Sequence, residues 1–132
     1  MANQIVVLDT CALIWWTLDR AKLSPSAQTC LQDTNKYKFA CSSISIWEIG
    51  IKIKRGKLDI GTTIEDYYHR LSRVTQLDIL AVDATVWIGN ISLDWEHKDP
   101  ADRTIVATAK LHHAPLMTSD CNIRDFYANT IW

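Results

Sequence analysis

Ile5-Val6-Val7-Leu8 is a run of β-branched and apolar residues that no polar side chain interrupts, and it stops at Asp9. A strand of this kind has no solvent face and belongs inside a parallel sheet covered on both sides. Parallel neighbours cannot be joined by a tight turn; they need a crossover, ordinarily a helix. The rest of the chain supplies that alternation. Tyr37 to Cys41, Leu77 to Val82 and Leu116 to Ser119 read as further strands, with Thr130-Ile131-Trp132 as a fifth. Thr10 to Leu18 reads as a helix or turn, and Ser24-Pro25 opens a helix to about Thr34, with Ser as cap and Pro in the first turn. Ser42 to Ser45 hold cap candidates for a helix through Ile46, Trp47, Ile49 and Ile53, closed by Gly56. Thr62-Thr63-Ile64-Glu65 resembles a capping box for a helix to about Val74, and Asp83 caps one ending near Leu93. Asp99-Pro100 opens the last, which carries Ile105, Val106, Ala109 and Leu111. The expected fold is α/β in three layers: a central parallel sheet of four to five strands with helices on both faces. A chain of 132 residues, 48% of them hydrophobic, builds one core, so residues 1–132 are expected to form a single domain.

A net charge of −1 gives no global attraction to nucleic acid, so any such contact requires a local basic patch. Cys11, Cys30, Cys41 and Cys121 contain no CxxC pair and no His at zinc-site spacing, and they read as reduced core thiols. Met1 to Gln4 lacks the basic region of a leader, and no stretch approaches the roughly 20 apolar residues of a membrane span. The expectation is a cytoplasmic protein without membrane contact.

Acidic residues fall where such a fold builds its ligand site. In open α/β sheets the crevice lies at the carboxyl ends of the strands, where Asp9 and Asp120 follow the first and fourth strands. Asp102 takes the third position of the helix opened by Asp99-Pro100, and Glu48 lies one to two turns into the helix after the second strand. Four carboxylates gathered within about 4 Å would repel by roughly 4 kcal/mol per pair at an effective dielectric near 20, so such a cluster needs a cation. An all-oxygen donor set suits Mg²⁺ or Mn²⁺, the ions of phosphodiester hydrolysis. Each residue also has a plain structural reading. Asp9 suits a helix cap, Asp102 suits the positive end of a helix dipole, Glu48 suits a solvated position, and Asp120 suits a turn.

The stretches IVVLDTCAL (5–13), SIWEIGIK (45–52), HKDPADRTIVATA (97–109) and LMTSDCNIRDF (116–126) resemble, in order, the acidic motifs of PIN-domain proteins, over nearly the whole chain. The likeness is strongest to VapC-type toxins that carry DPADR and end in TIW. This resemblance implies a metal-dependent endoribonuclease using Mg²⁺ or Mn²⁺, with Asp9, Glu48, Asp102 and Asp120 in its site. Asp99, which precedes Pro100 where a cap belongs, is an outer member. The last motif also aligns through Asn122 and Asp125, but Asp120 directly follows the strand. The resemblance further implies an RNA substrate, a homodimer and a cognate antitoxin protein. The competing reading is a PIN fold that binds RNA or regulates without turnover.

Lys52, Lys54, Arg55 and Lys57 follow the helix bearing Glu48 and are candidates for RNA backbone contact, as is Arg103 beside the site; Arg70 and Arg73 are weaker ones. Of the six tryptophans, Trp47 and Trp87 read as core, whereas the adjacent Trp15 and Trp16 place at least one ring at a surface or interface. A phospho-receiver domain would carry an acidic pair and a later strand-end Lys where Leu8 and Ser119 stand. A haloacid-dehalogenase phosphatase would read DxD at Asp9-Thr10-Cys11, and no GxxxxGK[ST] loop is present.

Overall fold

The computed structural model describes residues 3–132; Met1 and Ala2, part of the stretch read above as lacking a leader, lie outside them. Strands β1 (Gln4–Leu8), β2 (Tyr37–Ser42), β3 (Leu77–Leu80), β4 (Leu116–Met117) and β5 (Thr130–Ile131) form one sheet in the order β3-β2-β1-β4-β5. Every neighbouring pair is parallel. The uninterrupted apolar run is therefore the central strand, and Val6, Val7 and Leu8 have no exposure at all.

Helices α1 (Thr10–Leu18), α2 (Pro25–Gln32), α3 (Ser43–Lys54), α4 (Ile64–Ser72), α5 (Ala84–Ile91), α6 (Pro100–Leu111) and α7 (Cys121–Phe126) cover the sheet. Alternate residues of β1 point into different cores. Val6 and Leu8 join Leu13, Ile49, Tyr67 and Leu71, whereas Val7 joins Ile105, Val106, Ala109 and Ile123. This alternation gives the three layers expected from sequence.

The chain runs outward from β1 to β2 and β3, then returns to place β4 and β5 on the other side. The strand order thus reverses between β1 and β4, the position where open α/β sheets leave a crevice. Register there is set by Leu8 opposite Met117, and Asp9 N–H donates to the Met117 carbonyl at 3.1 Å.

Three local differences from the sequence reading have simple causes. Helix α7 has only six residues, too few for a periodic signal, and Asp120 caps it where a turn was expected. A 3₁₀ turn at Arg20–Lys22 is likewise too short to show periodicity. The cap of α4 is Thr63 rather than Thr62: Thr63 accepts from Asp66 N–H at 3.1 Å, and Thr62 donates to the Asp66 carboxylate at 2.7 Å.

Helix α3 closes as its glycine requires. Gly56 has φ +69°; its N–H meets the Ile53 carbonyl at 3.0 Å, and Lys57 N–H meets that of Lys52 at 2.8 Å. This is the paired bonding of a Schellman cap. A Cβ at Gly56 would meet nothing within 4 Å, so substitution is opposed by the left-handed backbone alone. Gly56→Ala is expected to lower stability by about 1 kcal/mol, read as a shifted urea midpoint with unchanged slope.

Candidate active site: an acidic cleft at the strand switch

Asp9 ends β1 and begins α1 in one step. Its Oδ1 accepts the Ala12 N–H at 2.7 Å, capping the helix, while the residue stays 7% exposed. Burial pushes its carboxyl up to about 6; hydrogen bonds from Thr118 and Ala12 work against this, and the charges of Asp102 and Asp120 add to it. Thr10 Oγ1 lies 2.9 Å from Ser45 Oγ, a buried hydroxyl pair that ties α1 to α3 one turn before Glu48.

Asp102 stands at the third position of α6, half-buried, with His97 Nε2 donating to its Oδ2 at 2.8 Å. Burial raises its carboxyl, the His97 bond opposes the shift, and the charges of Asp99 and Asp120 add to it. Asp99 caps α6 by accepting Asp102 N–H at 3.0 Å, and Asp120 caps α7 by accepting Ile123 N–H at 3.1 Å. Glu48 is held 3.8 Å from Lys52 Nζ on the same face of α3.

A cleft of roughly 250 Å³ gathers Asp9, Glu48, Asp99, Asp102 and Asp120, together with Thr10, Cys11, Lys52 and Ser119. The convergence expected from sequence is thus present in space. Asp125, the other alignment of the last motif, is exposed on α7, and neither it nor Asn122 lines this cleft. Among the described residues, no three His, Cys, Asp or Glu side chains close into a metal cage; the carboxylates stand around an open cleft. Its lining carries one cation, Lys52, against five carboxylates, and its donors are hard oxygens, a set that fits a divalent ion such as Mg²⁺.

The basic candidates separate. Lys52 lines the cleft and, with Arg55, Lys57 and Trp47, an adjoining groove of roughly 240 Å³ that shares Glu48 and Asp99 with it. Lys54 is exposed but lines neither. Arg70 pairs with Asp66 at 2.9 Å and borders a different groove beside Trp16. Arg103 is a correction: its guanidinium does not reach for phosphate but donates to the Asn90 side chain and to the carbonyls of Asn90, Leu93, Trp95 and His97. His97, which sequence reasoning passed over, had only its place just ahead of DPADR as a signal.

One further expectation is overturned. Trp47 and Trp87 are 58% and 43% exposed, because α3 turns Ser45 and Ile49 inward and α5 turns Val86 and Asn90. Of the adjacent pair, Trp16 is buried against Phe39, whereas Trp15 packs on Trp132 and stays partly exposed, which leaves one ring at the surface. All the cysteines are free, as expected, but only Cys30 and Cys41 are core; Cys11 and Cys121 are exposed.

A parallel α/β sheet with an acidic crevice where its strand order reverses defines a class of ligand sites rather than one protein. The family model for the PIN domain matches residues 6–129, and the chain belongs to that family. No curated protein matches in sequence. Among solved structures, the chain is similar to one titled as a toxin-antitoxin complex from Klebsiella pneumoniae, at 19% identity and TM-score 0.65 over 96% of each chain. It is also similar to VapBC2 from Rickettsia felis bound to a promoter DNA fragment, at 16% identity and TM-score 0.69 over 98% of this chain and 100% of that one. FitAcB from Neisseria gonorrhoeae matches at 20% identity and TM-score 0.60 over 94% and 92%.

The Asp9 shift carries a stability consequence. An acid whose folded-state pKa lies above its ordinary 3.8 favours folding only while protonated; that contribution is complete below about pH 4 and lost as pH rises through about 6. Asp9→Asn keeps an acceptor for Ala12 N–H and removes the charge. In chelator-treated protein it is expected to be more stable than wild type at pH 7.5, on the order of 2 kcal/mol. The gap closes toward pH 4, as paired urea titrations would measure.

Proposed function

We propose that this PIN-domain chain is a metal-dependent endoribonuclease, the VapC-type toxin of a toxin-antitoxin pair. The observation that carries the reading is the gathering of five carboxylates around a cleft at the strand switch, with Lys52 as its one lining cation. Asp9, Glu48, Asp102 and Asp120 would hold Mg²⁺ or Mn²⁺, with Asp99 at the rim. The bound ion would polarise the scissile phosphate and acidify a water near it. Asp9, burdened by burial and by the charges of Asp102 and Asp120, and Asp102, burdened by burial and by the charges of Asp99 and Asp120, supply the negative field that would draw the ion in. Lys52 and Arg55 bind the RNA backbone along the groove that runs from the cleft past Trp47.

The solved neighbour titled as a toxin-antitoxin complex supports a cognate antitoxin protein as partner. The chain acts as a homodimer in the cytoplasm on this reading. Among the described residues, no helix is long and apolar enough to cross a membrane.

Purified protein with Mg²⁺ or Mn²⁺ is expected to cut RNA, and Asp9→Asn or Asp102→Asn to slow cleavage by roughly a hundredfold or more while leaving a cooperative unfolding transition. RNA binding without metal-stimulated cleavage would instead identify a binding module. Arg55→Ala is expected to raise KM more than it lowers kcat, and to reduce the slope of log affinity against log salt by about one. The same substitution at Lys54 should change neither.

A further inference from the structure

We propose that Arg103 and His97 form one positioning device that sets the orientation of the Asp102 carboxylate; the inference rests on the reading of Asp102 as a metal-holding residue. The segment between α5 and α6, residues 92–99, has no regular secondary structure, so its carbonyls have no ladder partners. Arg103, on the first turns of α6, reaches back over it. Nη1 donates to the carbonyls of Trp95 and of His97, the latter at 3.0 Å. Nη2 donates to those of Asn90 at 2.7 Å and Leu93 at 3.2 Å, and Nε to Asn90 Oδ1 at 3.2 Å. All five N–H groups of the fork are used, every acceptor is neutral, and the acceptors extend from the end of α5 to His97.

A second grip comes from the rings. Trp95 stacks on Phe126 at 4.7 Å and 8°, and its ring also pairs with that of His97, with centroids again 4.7 Å apart. The segment is thus held by its carbonyls from α6 and by its indole from α7. What emerges fixed is the His97 ring, with Nε2 at 2.8 Å from Asp102 Oδ2. Among the described residues this is the one hydrogen bond to that carboxylate. It stops rotation of the group and leaves the other oxygen for a ligand. Groups of this kind, orienting a ligand without touching the ion, are worth 10- to 100-fold in metal affinity.

The test measures Mn²⁺ binding to the full chain by calorimetry, with cleavage of RNA followed in parallel. His97→Ala is expected to weaken Mn²⁺ about 10- to 100-fold, and His97→Gln, whose amide nitrogen still donates, to recover most of the loss. Arg103→Lys keeps the charge but not the fork, and is expected to match His97→Ala. Gly61→Ala, at a φ of +75° with nothing within 4 Å of an added Cβ, loses stability through backbone strain away from the site and should bind Mn²⁺ as wild type does. Wild-type Mn²⁺ affinity in both His97→Ala and Arg103→Lys would overturn the device, as would His97→Gln behaving like His97→Ala. An Asp102→Asn variant that binds Mn²⁺ as tightly as wild type would overturn the reading of Asp102 itself.

Discussion

A carboxylate at the end of a strand with no solvent face must find its partners within the fold. Asp9 does so by ending β1 and capping α1 at once, so no loop intervenes between sheet and helix. That abrupt junction sets much of the cleft. It puts Thr10 in the first turn of α1, where it meets Ser45 and fixes the helix that carries Glu48. It also lays Asp9 beside Thr118, whose hydroxyl works against the upward shift of the Asp9 carboxyl and accepts the backbone N–H of Asp120 at 3.1 Å. Two strand ends and two helices are thereby referred to one residue.

The structural and functional readings of these acids are therefore not rivals. Asp9, Asp99 and Asp120 each cap a helix through one oxygen, Oδ1. The positive end of each helix dipole offsets part of the repulsion among the acids, and a second oxygen is left over on each. Asp102 reaches a similar state differently, with its Oδ2 taken by His97.

What the sequence made legible follows from where the signal is local. An uninterrupted apolar strand, a cap followed by Pro, and an Asp at a strand end are each readable within a few residues, and they placed the layers and the acidic set. The buried faces of α3 and α5 were not readable. Apolar residues in α3, from Ile44 through Ile46, Trp47, Ile49, Ile51 and Ile53, surround the helix, so no stripe says which side is inward. Trp47 accordingly came out exposed. The misreading of Arg103 has another cause: an arginine beside an acidic motif suggests a phosphate ligand, but its acceptors are carbonyls made available by an irregular segment. Such acceptors exist only once the chain has folded. His97 was hidden in the same way, since its partner lies five residues away with no periodicity to link them.

The direction Arg103 takes also governs the electrostatics of the cleft. A guanidinium turned into the carboxylates would lower their pKa values and satisfy the cluster internally, leaving a cation little to gain. With its fork spent on neutral carbonyls, the arginine contributes rigidity to the neighbouring segment instead of neutralising the cleft. Lys52 then remains the lining cation, 3.8 Å from Glu48 and partly open to solvent, where screening keeps such a pair weak. Asp9 stays burdened, with its carboxyl near 6, and the fold carries that cost. On the function proposed above, a divalent ion held by these carboxylates would relieve that cost and, by binding only the folded state, would stabilise it by mass action.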